Sequence, residues 1–256
     1  MRDSYIGITG FTSPHEVSAL VDLIPPESYR KLMVGVCATW KSLNYIPMKP
    51  KWAKQTPSPD RISSIFLDHL SVINLVHYST DHQDTLLEQM RRIIDYAGPN
   101  LHGFQLNIPW PNIEQLAGLV FRSDYPYRVV LQISQKAMDA VGQKPQGLIS
   151  MLKQYVGLID DILIDLSGGT GKPLDTELVR DLLMAVAEKG WDIGLGAAGG
   201  LGPYSLDLVE PLLIDFPNLN IDAQGRLRNQ NNDLDIGLAQ EYLRKAFNMF
   251  GHYNGA

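Results

Sequence analysis

Eight short apolar runs recur along this chain, each followed by a segment with helical spacing, and that alternation restricts the fold more than any other property. The runs are Tyr5 to Thr9, Leu32 to Ala38, Val72 to Tyr78, Gly103 to Ile108, Arg128 to Ser134, Asp160 to Asp165, Trp191 to Ala197 and Leu219 to Asp222. The segment around Ile162, Leu163 and Ile164 is too apolar for a strand with one wet face and fits a sheet covered on its outer side. Helices are expected near 13–23, 61–69, 84–96, 112–121, 145–158, 176–189, 204–213 and 234–250. The first has a clear start: Ser13 at the N-cap, Pro14 at the first helical position and Glu16 completing a capping box. Asp84 is the expected N-cap of the third.

Strict strand-then-helix order argues for parallel pairing, and eight such units in 256 residues is the count of a closed (β/α)8, or TIM, barrel. We expect one α/β domain over 1–256, with a long connection at about 39–60 after the second strand. That connection carries several prolines and lysines with Trp40, Tyr45 and Trp52, and is either a functional flap or a disordered excursion. The net charge of −6 and the absence of a dense Lys/Arg cluster exclude a nucleic-acid footprint. The single cysteine, Cys37, excludes an internal disulfide and a cysteine-rich metal site. Without a signal-like or membrane-length apolar run, the expectation is a cytoplasmic protein with no membrane partner. No metal or cofactor is expected, and a homodimer is left open.

Ligands of such barrels bind where strands end and helices have not begun. There the sequence places Thr9, His77, Gln105, Asn107, Gln132, Ser134, Asp165, Gly199 with Gly200, and Asp222 with Gly225. Asp165 ends the sixth run and leads into Gly168-Gly169-Thr170-Gly171-Lys172, which brings backbone N–H groups and one cation near a ligand. This loop is not a Walker A loop, because Pro173 follows Lys172. Gly194 to Gly199 matches G-x-G-x-x-G, but in the seventh unit rather than at the head of a βαβ half-domain, so nicotinamide binding is the weakest reading. The glycines after the seventh and eighth strands, with Arg226 and Arg228, suit a phosphate better. Cys37 and the apolar face of the last helix are expected to be core.

Several of these segments together resemble one family. Ile8-Thr9-Gly10-Phe11-Thr12-Ser13-Pro14, Phe104-Gln105-Leu106-Asn107, Leu163-Ile164-Asp165 with its glycine loop, Ala198-Gly199-Gly200-Leu201, and Asp222 with Gly225 are similar, in order, to motifs of phosphoribosylanthranilate isomerase. The resemblance implies an Amadori rearrangement in which an acid protonates the sugar-ring oxygen and a base removes a proton from the neighbouring carbon. It puts Asp165 at the acid. At the family's basic cysteine stands Thr9, at its fourth-strand histidine Asn107, and near its carboxylate-binding arginine Asn44. A threonine hydroxyl is a poor base near neutral pH.

The resulting expectation is a divergent isomerase-like protein acting on a phosphosugar or its N-glycoside, but not on the ordinary anthranilate substrate. Asp165 and Thr9 are the catalytic candidates. Gln105, Asn107, Gly168, Gly169, Gly171, Lys172, Gly199, Gly200, Asp222 and Gly225 are the candidates for holding the phosphorylated ligand. The alternative is a barrel that binds such a ligand without turning it over.

Overall fold

The computed structural model describes residues 2–122, 126–168 and 172–253. Eight parallel strands close into a barrel in sequence order: β1 (Tyr5–Thr9), β2 (Lys31–Thr39), β3 (Val72–Ser79), β4 (Gly103–Leu106), β5 (Arg128–Ser134), β6 (Asp161–Asp165), β7 (Gly196–Ala198) and β8 (Asn220–Ala223). Closure is the β1–β8 seam, where Gly7 stands opposite Asp222. Around it run α1 (Pro14–Val21), α2 (Trp40–Leu43), α3 (Pro50–Ala53), α4 (Ile62–Ile65), α5 (Leu86–Ala97), α6 (Ile113–Arg122), α7 (Gln135–Asp139), α8 (Pro145–Leu152), α9 (Thr176–Ala187) and α10 (Ile236–Tyr253). Helix α1 begins with the expected capping box on Ser13 and Glu16.

Side chains alternate across each strand, so one set packs outward under the helices and the other fills the barrel. The outward set forms the large core, with Ile6, Ile8, Val34, Val36, Leu131 and Ile164 among its members. The inward set forms a separate plug of Tyr5, Met33, Ile73, Leu75, Val130, Leu163 and Ala198. Below the plug, Arg128 grips Asp161 with Nε and Nη2 at 2.7 and 2.9 Å, and Asn220 donates to the same carboxylate at 3.0 Å. Above the plug the inner face turns polar, and that layer carries the site.

Three expected elements come out differently. The helix expected at 204–213 is replaced by 3-10 turns, Leu206–Leu208 and Glu210–Ile214. Pro211 lies inside the expected span, where it lacks an N–H and would clash with the carbonyl four residues back. Strand β7 is three residues long rather than the expected 191–197. Only an isolated bridge joins Gly194 to Asp161, and a side chain at Gly194 would collide with the Asp161 carboxylate. The span expected as one helix at 145–158 ends its α-helix at Leu152 and continues as a 3-10 turn, Lys153–Tyr155. Two starts also move: α5 is entered through a 3-10 turn, Gln83–Thr85, so Asp84 does not cap it, and the helix expected at 61–69 is α4 alone.

The connection after β2 is folded. Thr39 caps α2 through a capping box with Ser42, and the chain then returns across the mouth of the barrel. Gln55 donates to Asn232 at 3.0 Å and accepts from Gln224 at 2.7 Å, Asn232 donates to the Lys51 carbonyl at 2.6 Å, and Lys54 donates to the Asn231 carbonyl at 2.7 Å. The β2 loop is thereby tied to the loop after β8. Among the described residues no helix is long and apolar enough to cross a membrane.

Candidate active site

The polar layer opens on a cavity of about 480 Å³ at the C-terminal ends of the strands. Its floor is built from His77 of β3, Gln105 of β4, Gln132 of β5, Asp165 of β6 and Asp222 of β8. Gly199, Gly200 and Gly225 form part of the wall, and Lys51, Trp52 and Gln55 reach over from the β2 loop.

Each carboxylate is held by a glutamine amide, Asp165 by one from the adjacent strand β5 and Asp222 by one from β4 across the barrel. Gln132 Nε2 donates to Asp165 Oδ2 at 2.9 Å, while the Ser167 N–H and hydroxyl donate to Oδ1 at 3.0 and 2.7 Å. Gln105 Nε2 donates to Asp222 Oδ2 at 3.0 Å, and Thr9 Oγ1 donates to the same oxygen at 2.8 Å. Thr9 reaches it because Gly35 leaves room: a Cβ there would stand 2.5 Å from Thr9 Oγ1. Gly199, at φ +110, brings the β7 backbone against Asp165, since its Cβ would lie 3.1 Å from Asp165 Oδ1.

Burial dominates the electrostatics. Asp222 is 6% exposed, and loss of solvation lifts its carboxyl to about 6. The Gln105 and Thr9 hydrogen bonds oppose that rise, and the neighbouring negative charge of Asp165 adds to it. Burial holds the His77 imidazole down at about 4, so it is neutral at neutral pH, and pushes the Cys37 thiol up to about 12. Arg228 donates Nη2 to the carbonyls of Thr9 and Gly10 at 2.6 and 3.0 Å, and burial lowers its pKa. Six buried polar atoms on the cavity's residues have no hydrogen-bond partner among the described residues: His77 Nδ1, Gln105 Oε1, Gln132 Oε1, Asp222 Oδ1, and Nε and Nη1 of Arg228. Buried polar atoms are nearly always paired, so their convergence on one cavity points to a polar ligand.

The expected site residues divide accordingly. Asp165, Asp222, Gln105, Gly199, Gly200 and Gly225 meet at the cavity. Thr9 does not line it: the residue is fully buried with its hydroxyl committed to Asp222, so it acts on that carboxylate rather than touching a ligand. Asn107 sits beyond β4, gives its N–H to the Tyr78 carbonyl at 2.9 Å, and does not line the cavity. Asn44 caps α2, donating to the Trp40 carbonyl at 2.7 Å, and lies away from the cavity too. Gly168 and Lys172 are exposed and outside the cavity, and Gly169 and Gly171 fall outside the described residues.

The G-x-G-x-x-G match is split by β7 itself. Gly194 faces the opposite end of the barrel beside Arg2 and Asp161, whereas Gly199 faces the cavity. No α-helix follows, so the pattern lacks the helix N-terminus a dinucleotide phosphate needs. A second hollow of about 390 Å³ lies at that opposite end. Its charges are committed to one another, Arg2 to Asp160 and Asp192 and Arg128 to Asp161, which makes it a structural seam. Gln55, Trp52 and Gln224 were not among the expected site residues; they reach the cavity through tertiary folding of two loops.

The same barrel occurs in solved structures. Phosphoribosylanthranilate isomerase from Thermus thermophilus superposes with a TM-score of 0.63 at 17% identity, covering 97% of this chain and 98% of that one. The enzyme from Thermotoga maritima gives 0.63 at 18% identity over 95% and 98%. TrpF from Jonesia denitrificans gives 0.61 at 15% over 96% and 98%. This chain has the fold of phosphoribosylanthranilate isomerase. A further structure of that isomerase, in complex with reduced 1-(o-carboxyphenylamino)-1-deoxyribulose 5-phosphate, matches at 0.63 and 15% identity over 95% of this chain and 99% of that one. No protein-family profile matches the sequence, and no curated protein matches it.

Proposed function

We propose that this barrel is an isomerase-like protein acting on a phosphorylated sugar or its N-glycoside, with Asp165 as an acid/base group. The observation that carries the reading is the fixed Asp165 carboxylate, held on both oxygens and aimed into a cavity whose other buried polar atoms await partners. The likeness of the whole barrel to phosphoribosylanthranilate isomerases supports the phosphosugar class. The positive-φ turn at Gly199 and Gly200 and the loop beginning at Gly225 suit a phosphate, since backbone N–H groups can approach it closely there.

Trp52, Gln55 and Gln224 also line the cavity, and this reading assigns them to the non-phosphate end of the ligand. Asn44, which the resemblance aligns with the family's carboxylate-binding arginine, bonds the Trp40 carbonyl and does not line the cavity, and this favours an amine other than anthranilate. The second reading is a barrel that binds the ligand without turnover, favoured by Thr9 in place of a thiol base. A thermal-shift screen against ribose 5-phosphate and N-aryl phosphoribosylamines, paired with a turnover assay, decides. Stabilisation with turnover abolished in Asp165→Asn supports the enzyme. Stabilisation without turnover supports the binder, and no shift with any phosphosugar ends both readings.

A further inference from the structure

Between Asn44 and Lys54 no residue is buried, although this stretch lies across the mouth of the cavity. It carries the short helix α3, whose four residues pack nothing into the core. Lys51 and Trp52 of the strap, with Gln55 at its end, line the cavity. Side-chain hydrogen bonds, not buried apolar groups, fasten the strap to the loop after β8. Asn232 uses both ends of its amide: Oδ1 accepts from Gln55 Nε2 at 3.0 Å, and Nδ2 donates to the Lys51 carbonyl at 2.6 Å. Gln224 donates to Gln55 Oε1 at 2.7 Å. Lys54, which does not line the cavity, donates to the Asn231 carbonyl at 2.7 Å.

The two sides of this contact differ in how they are braced. On the β8 side, Arg228 and Leu234 pair in an antiparallel bridge. Between them Asn229 accepts from the Asn232 N–H at 2.9 Å and exchanges bonds with Asp233, its N–H to that carbonyl and its Oδ1 from that N–H, both at 3.0 Å. Asn232 itself sits at φ +68, a left-handed conformation that asparagine tolerates. The strap has no such framework and is buried only where it begins and ends, at Leu43 and Gln55. A segment with few buried contacts and solvent-exposed bonds is the kind that opens locally while the rest of a domain stays folded.

We propose that residues 44–55 are a lid that closes on the ligand, with Asn232 and Gln224 as its catch. A molecule in the cavity meets groups from both sides, Lys51, Trp52 and Gln55 on the strap and Gln224, Gly225 and Asn232 on the loop. Contacts to Lys51 and Trp52 exist in full only while the strap is fastened, so the ligand binds the closed form more tightly and shifts the population toward it. Trp52 is 42% exposed, and covering its apolar surface adds to that difference. The inference gives the phosphosugar reading above a moving part and rests on that reading for its ligand.

The test uses the full chain with spin labels at Lys49→Cys on the strap and Lys136→Cys on α7. Both positions are exposed and neither lines the cavity. Cys37 is buried, with its thiol held at about 12, and does not take the label. The probe is the stable analogue 1-(phenylamino)-1-deoxyribitol 5-phosphate, with saturation set from calorimetry on each chain. Pulsed electron resonance reads the distance between the labels. In a second labelled chain, Lys54→Met and Gln55→Ala remove the Lys54–Asn231, Gln55–Asn232 and Gln224–Gln55 bonds. There the fraction of long distances should rise at least about 5-fold over the parent, since each bond contributes modestly on its own. Saturating analogue should cut that fraction to about half or less, by the population shift that defines a lid. Circular dichroism and thermal unfolding of each chain separate this outcome from misfolding.

A distance distribution that the two substitutions leave unchanged overturns the lid, and so does one that they broaden and bound analogue does not narrow. Either result leaves the phosphosugar reading intact. Failure of the parent to bind the analogue overturns that reading, and the lid with it.

Discussion

Thr9 and Asp222 are joined across the seam that closes the barrel by a 2.8 Å hydrogen bond, hydroxyl donor to carboxylate acceptor. The bond links the first strand to the last and opposes part of the rise that burial imposes on the Asp222 carboxyl. Replacing Thr9 by Val keeps the shape and removes the donor. The Asp222 carboxyl is then expected to titrate above about 6, read from carbon-13 shifts of the aspartate side chains. An unchanged titration would mean that the hydroxyl does not serve the carboxylate in solution.

Ionised Asp222 costs the protein stability. Its folded value of about 6 lies above the ordinary 3.8, so the folded chain holds a proton that the unfolded chain has released between those values. The contribution is fully present below pH 4 and is lost as pH rises through 6, a difference on the order of 3 kcal/mol. Asp222→Asn should therefore raise Tm by several degrees at pH 7 to 8 and by much less at pH 4, measured by calorimetry. Equal or lower stability at pH 7.5 would contradict the burial argument.

His77 works in the opposite direction over nearly the same window. Its imidazole is held near 4 by burial, so its contribution is present above pH 6.5 and is lost as pH falls toward 4. In the parent the two slopes offset each other. His77→Phe should make the protein relatively more stable than the parent as pH is lowered from 6.5 to 4. Urea unfolding at a series of pH values reads this directly, and a constant offset across the range would exclude it.

At the far end of the barrel, Arg128 and Asp161 form a buried pair with Asn220 as third partner. Arg128→Met leaves a 1% exposed carboxylate without its cation, at a cost of about 3–5 kcal/mol. Adding Asp161→Leu should recover much of that loss, because the penalty is the orphaned charge and not the missing pair. Chemical denaturation of the single and double variants checks it. Binding at the cavity should change little, since the barrel plug separates the two ends.

Gln55 is 2% exposed and bonds both Asn232 and Gln224, so it fastens the β2 loop across the cavity mouth. Gln55→Ala should speed proteolytic cleavage within 45–58 while shifting global Tm by only a degree or two. Cleavage at the parental rate would show that the other ties, Asn232 to Lys51 and Lys54 to Asn231, hold the loop without it.

The alternation of apolar runs and helical segments was enough to specify the barrel, because period and strand-helix order are local properties of the chain. It failed around β7, where Gly194 and Pro211 break the pattern for reasons of backbone sterics. Asp165 was legible because an acid at the end of a buried strand must be met by a polar partner or a ligand. Gln105 and Asp222 were legible as strand-end residues, but their bond to each other was not.

The sequence by itself determined the eight units, their parallel order and the end of the barrel where a ligand must sit. Only the tertiary structure decided that Thr9 is buried against Asp222 rather than lining the cavity, that Asn44 and Asn107 stand outside it, and that Gln55 and Trp52 reach it. The physical reason is closure: hydrogen bonds between β1 and β8, and between the loops after β2 and β8, join residues about 170 to 215 positions apart, and no local pattern encodes which side chains meet there.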